Sequence, residues 1–78
     1  MRRLYAPQRV AVRVDSRGAP VEVEGMAVDA VREEWLVEDR WWTPRPLRRH
    51  YFELAMAEGR ALTVFRLPRG DRWYRQKA

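Results

Sequence analysis

Strand-length runs of alternating apolar and polar residues, cut at short intervals by turn residues, constrain this chain more than any other feature. From Gln8 to Asp15, Val10, Val12 and Val14 alternate with Arg9, Ala11 and Arg13, the period-two pattern of a half-buried strand. Ser16-Arg17-Gly18-Ala19-Pro20 reads as a turn, since Gly accepts positive φ and Pro limits the backbone. Val21 and Val23 then alternate with Glu22 and Glu24 before Gly25, which permits a tight hairpin or a bulge.

Residues 26–42 are less regular. Val28, Val31, Trp35 and Val37 favour a long bent strand, with a bulge near Glu33-Glu34 where the alternation switches. A short helix over residues 27–36 is the alternative, because Ala, Leu and Glu tolerate one. Thr43-Pro44-Arg45-Pro46 reads as a loop, as Pro cannot donate to a ladder. Alternation resumes over His50–Met56, with Phe52, Leu54 and Met56 on one face. Ala57-Glu58-Gly59-Arg60 is a hairpin turn, Ala61–Leu67 a buried strand, Pro68-Arg69-Gly70-Asp71 a turn and Arg72–Gln76 a last short strand. About six short strands joined at such spacing predict an all-β fold. A small antiparallel barrel or roll of the SH3-like kind limits exposed edges in so short a chain. One domain over residues 1–78 is expected, with its core in about 8–76.

Composition narrows the chemistry. The 78 residues include no Cys and one His, His50. Disulfides, thiolate metal sites and a Cys nucleophile are thereby excluded, and a catalytic triad or multi-His metal site is not expected. Ser16, Thr43 and Thr63 have no base other than His50, and the paired acids Glu33-Glu34 and Glu38-Asp39 diverge on a strand. No enzyme activity, cofactor or metal is therefore expected. No apolar run approaches the ~20 residues of a membrane span. The basic start Met1-Arg2-Arg3 leads into no apolar region, so the expectation is a cytoplasmic protein without membrane contact. Four Trp, three Tyr and two Phe supply core for a chain without crosslinks.

The net charge of +5 is unevenly laid out. Residues 1–20 and 40–78 are Arg-rich, whereas residues 21–39 hold one Arg against seven acids. In a sheet the acidic block can pair across strands with its basic neighbours. Fifteen of the sixteen cations are Arg, with no Ile and no Asn, a bias that reads as GC-rich coding before it reads as function. Arg69-Gly70-Asp71 matches an adhesion tripeptide, but its place in a hairpin turn accounts for it. Arg9 and Arg13, and the group Arg66, Arg69, Arg72 and Arg75, read first as solvated faces.

The aromatic–Arg cluster after Trp41-Trp42 is the candidate site. Adjacent strand residues face opposite ways, so one Trp would be core and the other exposed or tucked under the Pro loop. Trp42, Arg45, Arg48, Arg49 and Tyr51 form the expected interaction surface, with Trp35 and Trp73 as core. Trp, Tyr and Arg dominate protein–protein hot spots. The same residues could stack bases and contact phosphates.

The series Val31-Arg32-Glu33-Glu34-Trp35, Trp41-Trp42, Arg49-His50-Tyr51-Phe52-Glu53-Leu54, Glu58-Gly59-Arg60, Leu62-Thr63-Val64-Phe65-Arg66 and Arg72-Trp73-Tyr74-Arg75 resembles the small C-terminal domain of ImuB-type proteins. These are inactive Y-family polymerase homologues of the bacterial mutasome. It also resembles stand-alone bacterial domains of unknown function, and the likeness spans residues 8–76. The resemblance implies a part in DNA-damage tolerance through assembly with mutasome or replication proteins, without catalysis. The expected function is thus a non-catalytic interaction module, contacting protein and linked to DNA repair or damage tolerance. The alternative is a small single-stranded nucleic-acid-binding protein, whose binding would fall steeply with salt. Self-association through exposed strand edges is a third possibility.

Overall fold

A computed structural model describes residues 7–39, 47–67 and 72–76. Seven strands form one antiparallel sheet: β1 (Gln8–Val10), β2 (Val12–Val14), β3 (Pro20–Val23), β4 (Met26–Asp39), β5 (Leu47–Met56), β6 (Ala61–Arg66) and β7 (Trp73–Arg75). Their order is β1-β7-β6-β5-β4-β3-β2. The two strands at the ends of that order adjoin in sequence, separated by Ala11 alone. The sheet therefore curls into a nearly closed barrel, and the all-β reading holds.

The expected strand over Gln8–Asp15 is two strands that bend at Ala11 and join different neighbours. Val10 pairs with Trp73 on β7, and Val12 pairs with Val23 on β3. Glu24 fastens the bend. Its backbone N–H donates to the Ala11 carbonyl at 2.8 Å, and its carboxylate accepts from the Ala11 N–H. Glu24 can reach there because it and Gly25 form the two-residue turn of the β3–β4 hairpin, with φ of 51° and 81°. Positive φ at both central residues is the turn whose twist suits adjoining strands.

No described residue is helical, so the strand reading of residues 27–36 prevails. β4 runs for 14 residues and shifts register against β5 at Val28/Ala30 and again at Val31/Glu33. Such bulges bend a strand, which is how one strand spans from the barrel into an extended ribbon. β5 starts at Leu47, earlier than the His50 expected, because its first residues pair with the end of β4. At Gly59, φ of 103° closes the β5–β6 hairpin, with the Gly59 N–H on the Met56 carbonyl at 2.8 Å.

The inner face packs Val10, Val23, Phe52, Leu54, Met56, Leu62, Val64 and Trp73 into one buried cluster, bordered by Val12, Met26, Val28 and Val31. Trp73 is core, as expected, and its ring meets Phe52 with centroids 5.4 Å apart. Part of the basic–acidic–basic layout is neutralised across strands by Arg13–Glu22 at 2.9 Å and Arg48–Glu38 at 2.9 Å, and His50 Nε2 lies 2.7 Å from the Glu34 carboxylate. Among the described residues, no helix is long and apolar enough to cross a membrane.

Candidate protein-contact ribbon

Strand pairing sets a row of residues across the outer face of the sheet. Arg9 lies opposite Tyr74, Tyr74 opposite Phe65, Phe65 opposite Tyr51, and Tyr51 opposite Trp35. Directly opposed residues project to the same face and touch. The rings accordingly pack against one another. Trp35 and Tyr51 are stacked with centroids 5.3 Å apart, Tyr51 and Phe65 lie at 5.0 Å, and Phe65 and Tyr74 at 5.4 Å. Arg49 caps the row: its guanidinium sits 5.3 Å from the Phe65 centroid, and Nη1 donates to the Tyr51 hydroxyl at 3.3 Å. Beside it lies a shallow hollow of ≈ 180 Å³ lined by Pro7, Arg49, Phe65, Leu67 and Tyr74.

This second aromatic layer corrects the expectation for Trp35. It is not core; it is 38% exposed, at the outer end of the row. Its partner Tyr51 precedes Phe52, which belongs to the inner cluster. Adjacent strand residues face opposite ways, so pairing with Tyr51 carries Trp35 outward. Leu36 and Val37 follow at 64% and 38% exposure. Three successive apolar residues on a strand place apolar surface on both faces. Only β5 pairs with this part of β4 among the described residues, which leaves its other edge without a described strand.

The expected site residues divide. Trp42 and Arg45, with Trp41, lie outside the described residues. Arg48 and Arg49 sit on β5 beside Trp35–Val37 but face opposite ways: Arg48 is held by Glu38, Arg49 by the aromatic row. Tyr51, expected at the contact surface, is buried between Trp35 and Phe65. It supports that surface from beneath. Arg66 also leaves its expected solvated face, lying 5.7 Å from the Trp73 centroid. The Trp35-Leu36-Val37 patch is what residue-by-residue reading missed. An apolar triplet framed by Glu33-Glu34 and Glu38-Asp39 was the available signal.

The ribbon is suited to contact. Base stacking needs successive free ring faces, whereas Tyr51 and Phe65 are buried and spend theirs on each other. A protein partner needs an exposed apolar patch with polar surroundings, which Trp35, Leu36 and Val37 supply between flanking acids. Among the described residues, no three His, Cys, Asp or Glu side chains gather as a metal set would require. No protein-family model, curated protein or solved structure matches this chain.

Proposed function

We propose that this protein is a non-catalytic interaction module whose β4–β5 ribbon engages a protein partner in bacterial DNA repair or damage tolerance. The exposure of Trp35, Leu36 and Val37 on both faces of one strand carries the protein-contact reading. Exposed large apolar residues scattered singly need no explanation, but a contiguous set does. The repair setting rests on the likeness of the Trp, Tyr and Arg series to ImuB-type C-terminal domains. A module of this kind works in the cytoplasm, where the mutasome assembles.

A photo-crosslinking side chain placed at position 36, with position 17 in the far turn as control, tests the reading in cells. One protein captured from position 36 alone, and rebound after purification, is the expected result. Changing Trp35 and Val37 together to Ala should weaken that purified complex by about tenfold or more. Equal capture from both positions, or none, overturns it. Binding of single-stranded oligonucleotides at low salt, lost at high salt, would instead establish the nucleic-acid reading.

A further inference from the structure

We infer that the free edge of β4 over Glu33–Glu38 accepts an added strand from the partner, and that this strand is basic at its ends and apolar at its centre. The inference rests on the protein-contact reading and specifies how the contact is made.

β3 pairs with β4 only at Met26 and Ala27, whereas β5 follows β4 as far as Asp39. Beyond Ala27, β4 thus has one strand neighbour among the described residues. Along its other edge, alternate N–H and C=O groups meet no described strand. Such an edge is a template for a further strand. Bulges are one device that blunts an edge. Both β4 bulges fall earlier, and from Glu33 to Asp39 the register against β5 is unbroken. This regular stretch is also where Trp35, Leu36 and Val37 are exposed.

Charge selects the occupant. Glu33 and Glu34 precede the apolar triplet and Glu38 follows it. A second copy of the same edge, laid antiparallel, would bring acids against acids at both ends, and opposed like charges destabilise. A strand with cations at both ends and an apolar centre matches the pattern in either direction. One acid gives this preference a physical driving force. Glu33 lies directly opposite Glu53, and neither joins an ion pair among the described residues. A cation arriving beside Glu33 relieves that repulsion. Glu34 and Glu38 already have His50 and Arg48 on the β5 side, so Glu33 is the residue whose neutralisation should be felt most.

Amide hydrogen exchange on the full chain tests the inference, with a capped peptide of three valines flanked on each side by two lysines as probe. The expected result is slower exchange across Glu33–Glu38, by about tenfold at saturation. Val64–Arg66 amides on β6 should not change, because that stretch is paired on both sides. Glu33→Gln should weaken the peptide by about two- to fivefold. A counterpart peptide with glutamates in place of the lysines should give no protection. Absence of protection, equal protection by the acidic peptide, or protection that grows with protein concentration alone each overturns the inference. Crosslinking from position 36 reads contact without reading its mode. Capture without edge protection therefore removes strand addition alone, and edge protection without capture removes the cellular partner instead.

Discussion

Trp35 and Tyr51 lie face to face across β4 and β5, with ring centroids 5.3 Å apart and planes inclined by 5°. The pair joins the exposed ribbon to the buried aromatic row, so its removal should be felt in both stability and binding. Stacking of this kind contributes about 0.5–1.5 kcal/mol beyond area burial. Trp35→Ala should cost about 1–2 kcal/mol on denaturant unfolding, against about 3–5 kcal/mol for Trp73→Ala in the core. Equal losses would show that Trp35 is held as a core residue.

Leu54 and Leu36 provide a sharper contrast of the same side chain. Leu54 is fully buried and Leu36 is 64% exposed. Leu54→Ala should destabilise by about 2–5 kcal/mol through lost burial and a cavity. Leu36→Ala should stay within about 0.5 kcal/mol while weakening partner binding. Matched unfolding curves and a binding titration would read the two effects separately.

Arg48 and Arg49 should separate in binding although they adjoin in sequence. Arg48 is already paired with Glu38 at 2.9 Å, an exposed bridge worth about 0–1 kcal/mol. Arg49 lies on the face that carries Trp35, over Phe65. Arg49→Ala should lower partner affinity more than Arg48→Ala does. Equal effects, measured with the crosslinked partner once purified, would show that the ion pair with Glu38 does not withhold Arg48 from the contact.

Gly25 turns the β3–β4 hairpin with φ of 81°, and nothing lies within 4 Å of where a Cβ would stand. Gly25→Ala therefore meets no clash, and its cost is backbone strain alone, about 1–2 kcal/mol. Gly25→Asn should cost less, since Asn visits this region more readily. Thermal unfolding of the two variants would order them.

Asp15 sets a pH dependence at the far turn. The Ala19 N–H, first, and the Arg17 N–H donate to its Oδ1 at 3.0 and 2.8 Å and hold its pKa below the ordinary carboxylate value. A carboxylate whose pKa is lower when folded contributes stability above its unfolded pKa and loses it as pH falls through the folded one. Wild-type stability should thus fall below about pH 4. Asp15→Asn keeps the acceptor oxygen and should flatten that part of the profile. Unchanged steepness in the variant would assign the acid loss to other carboxylates.

Much of the barrel was legible because side-chain period and turn residues act locally. Val10, Leu54, Val64 and Trp73 are buried where alternation puts them, and Gly25 and Gly59 turn where positive φ is needed. The bend at Ala11 was not legible. Alternation passes straight through Val10, Ala11 and Val12, and the change of partner depends on Glu24, distant in sequence. Trp35 was misplaced because size suggests burial, whereas the face it takes depends on its pairing with Tyr51. The Trp35-Leu36-Val37 patch stood in plain view as a triplet. Its exposure depends on what packs over the two faces of that ribbon, a tertiary matter that no residue type encodes.

The bend at Ala11 bears on how the chain is made. β1 finds its only described strand neighbour in β7, so of the described strands the earliest made waits for the latest. Val10 must meet Trp73 across most of the chain, a separation that slows folding. Until residues 73–75 emerge, Val10 lacks its mate and the β6 edge stands open beside the nascent segment. Between the emergence of β6 and that of β7, this edge is therefore open to capture by a chaperone or by another copy.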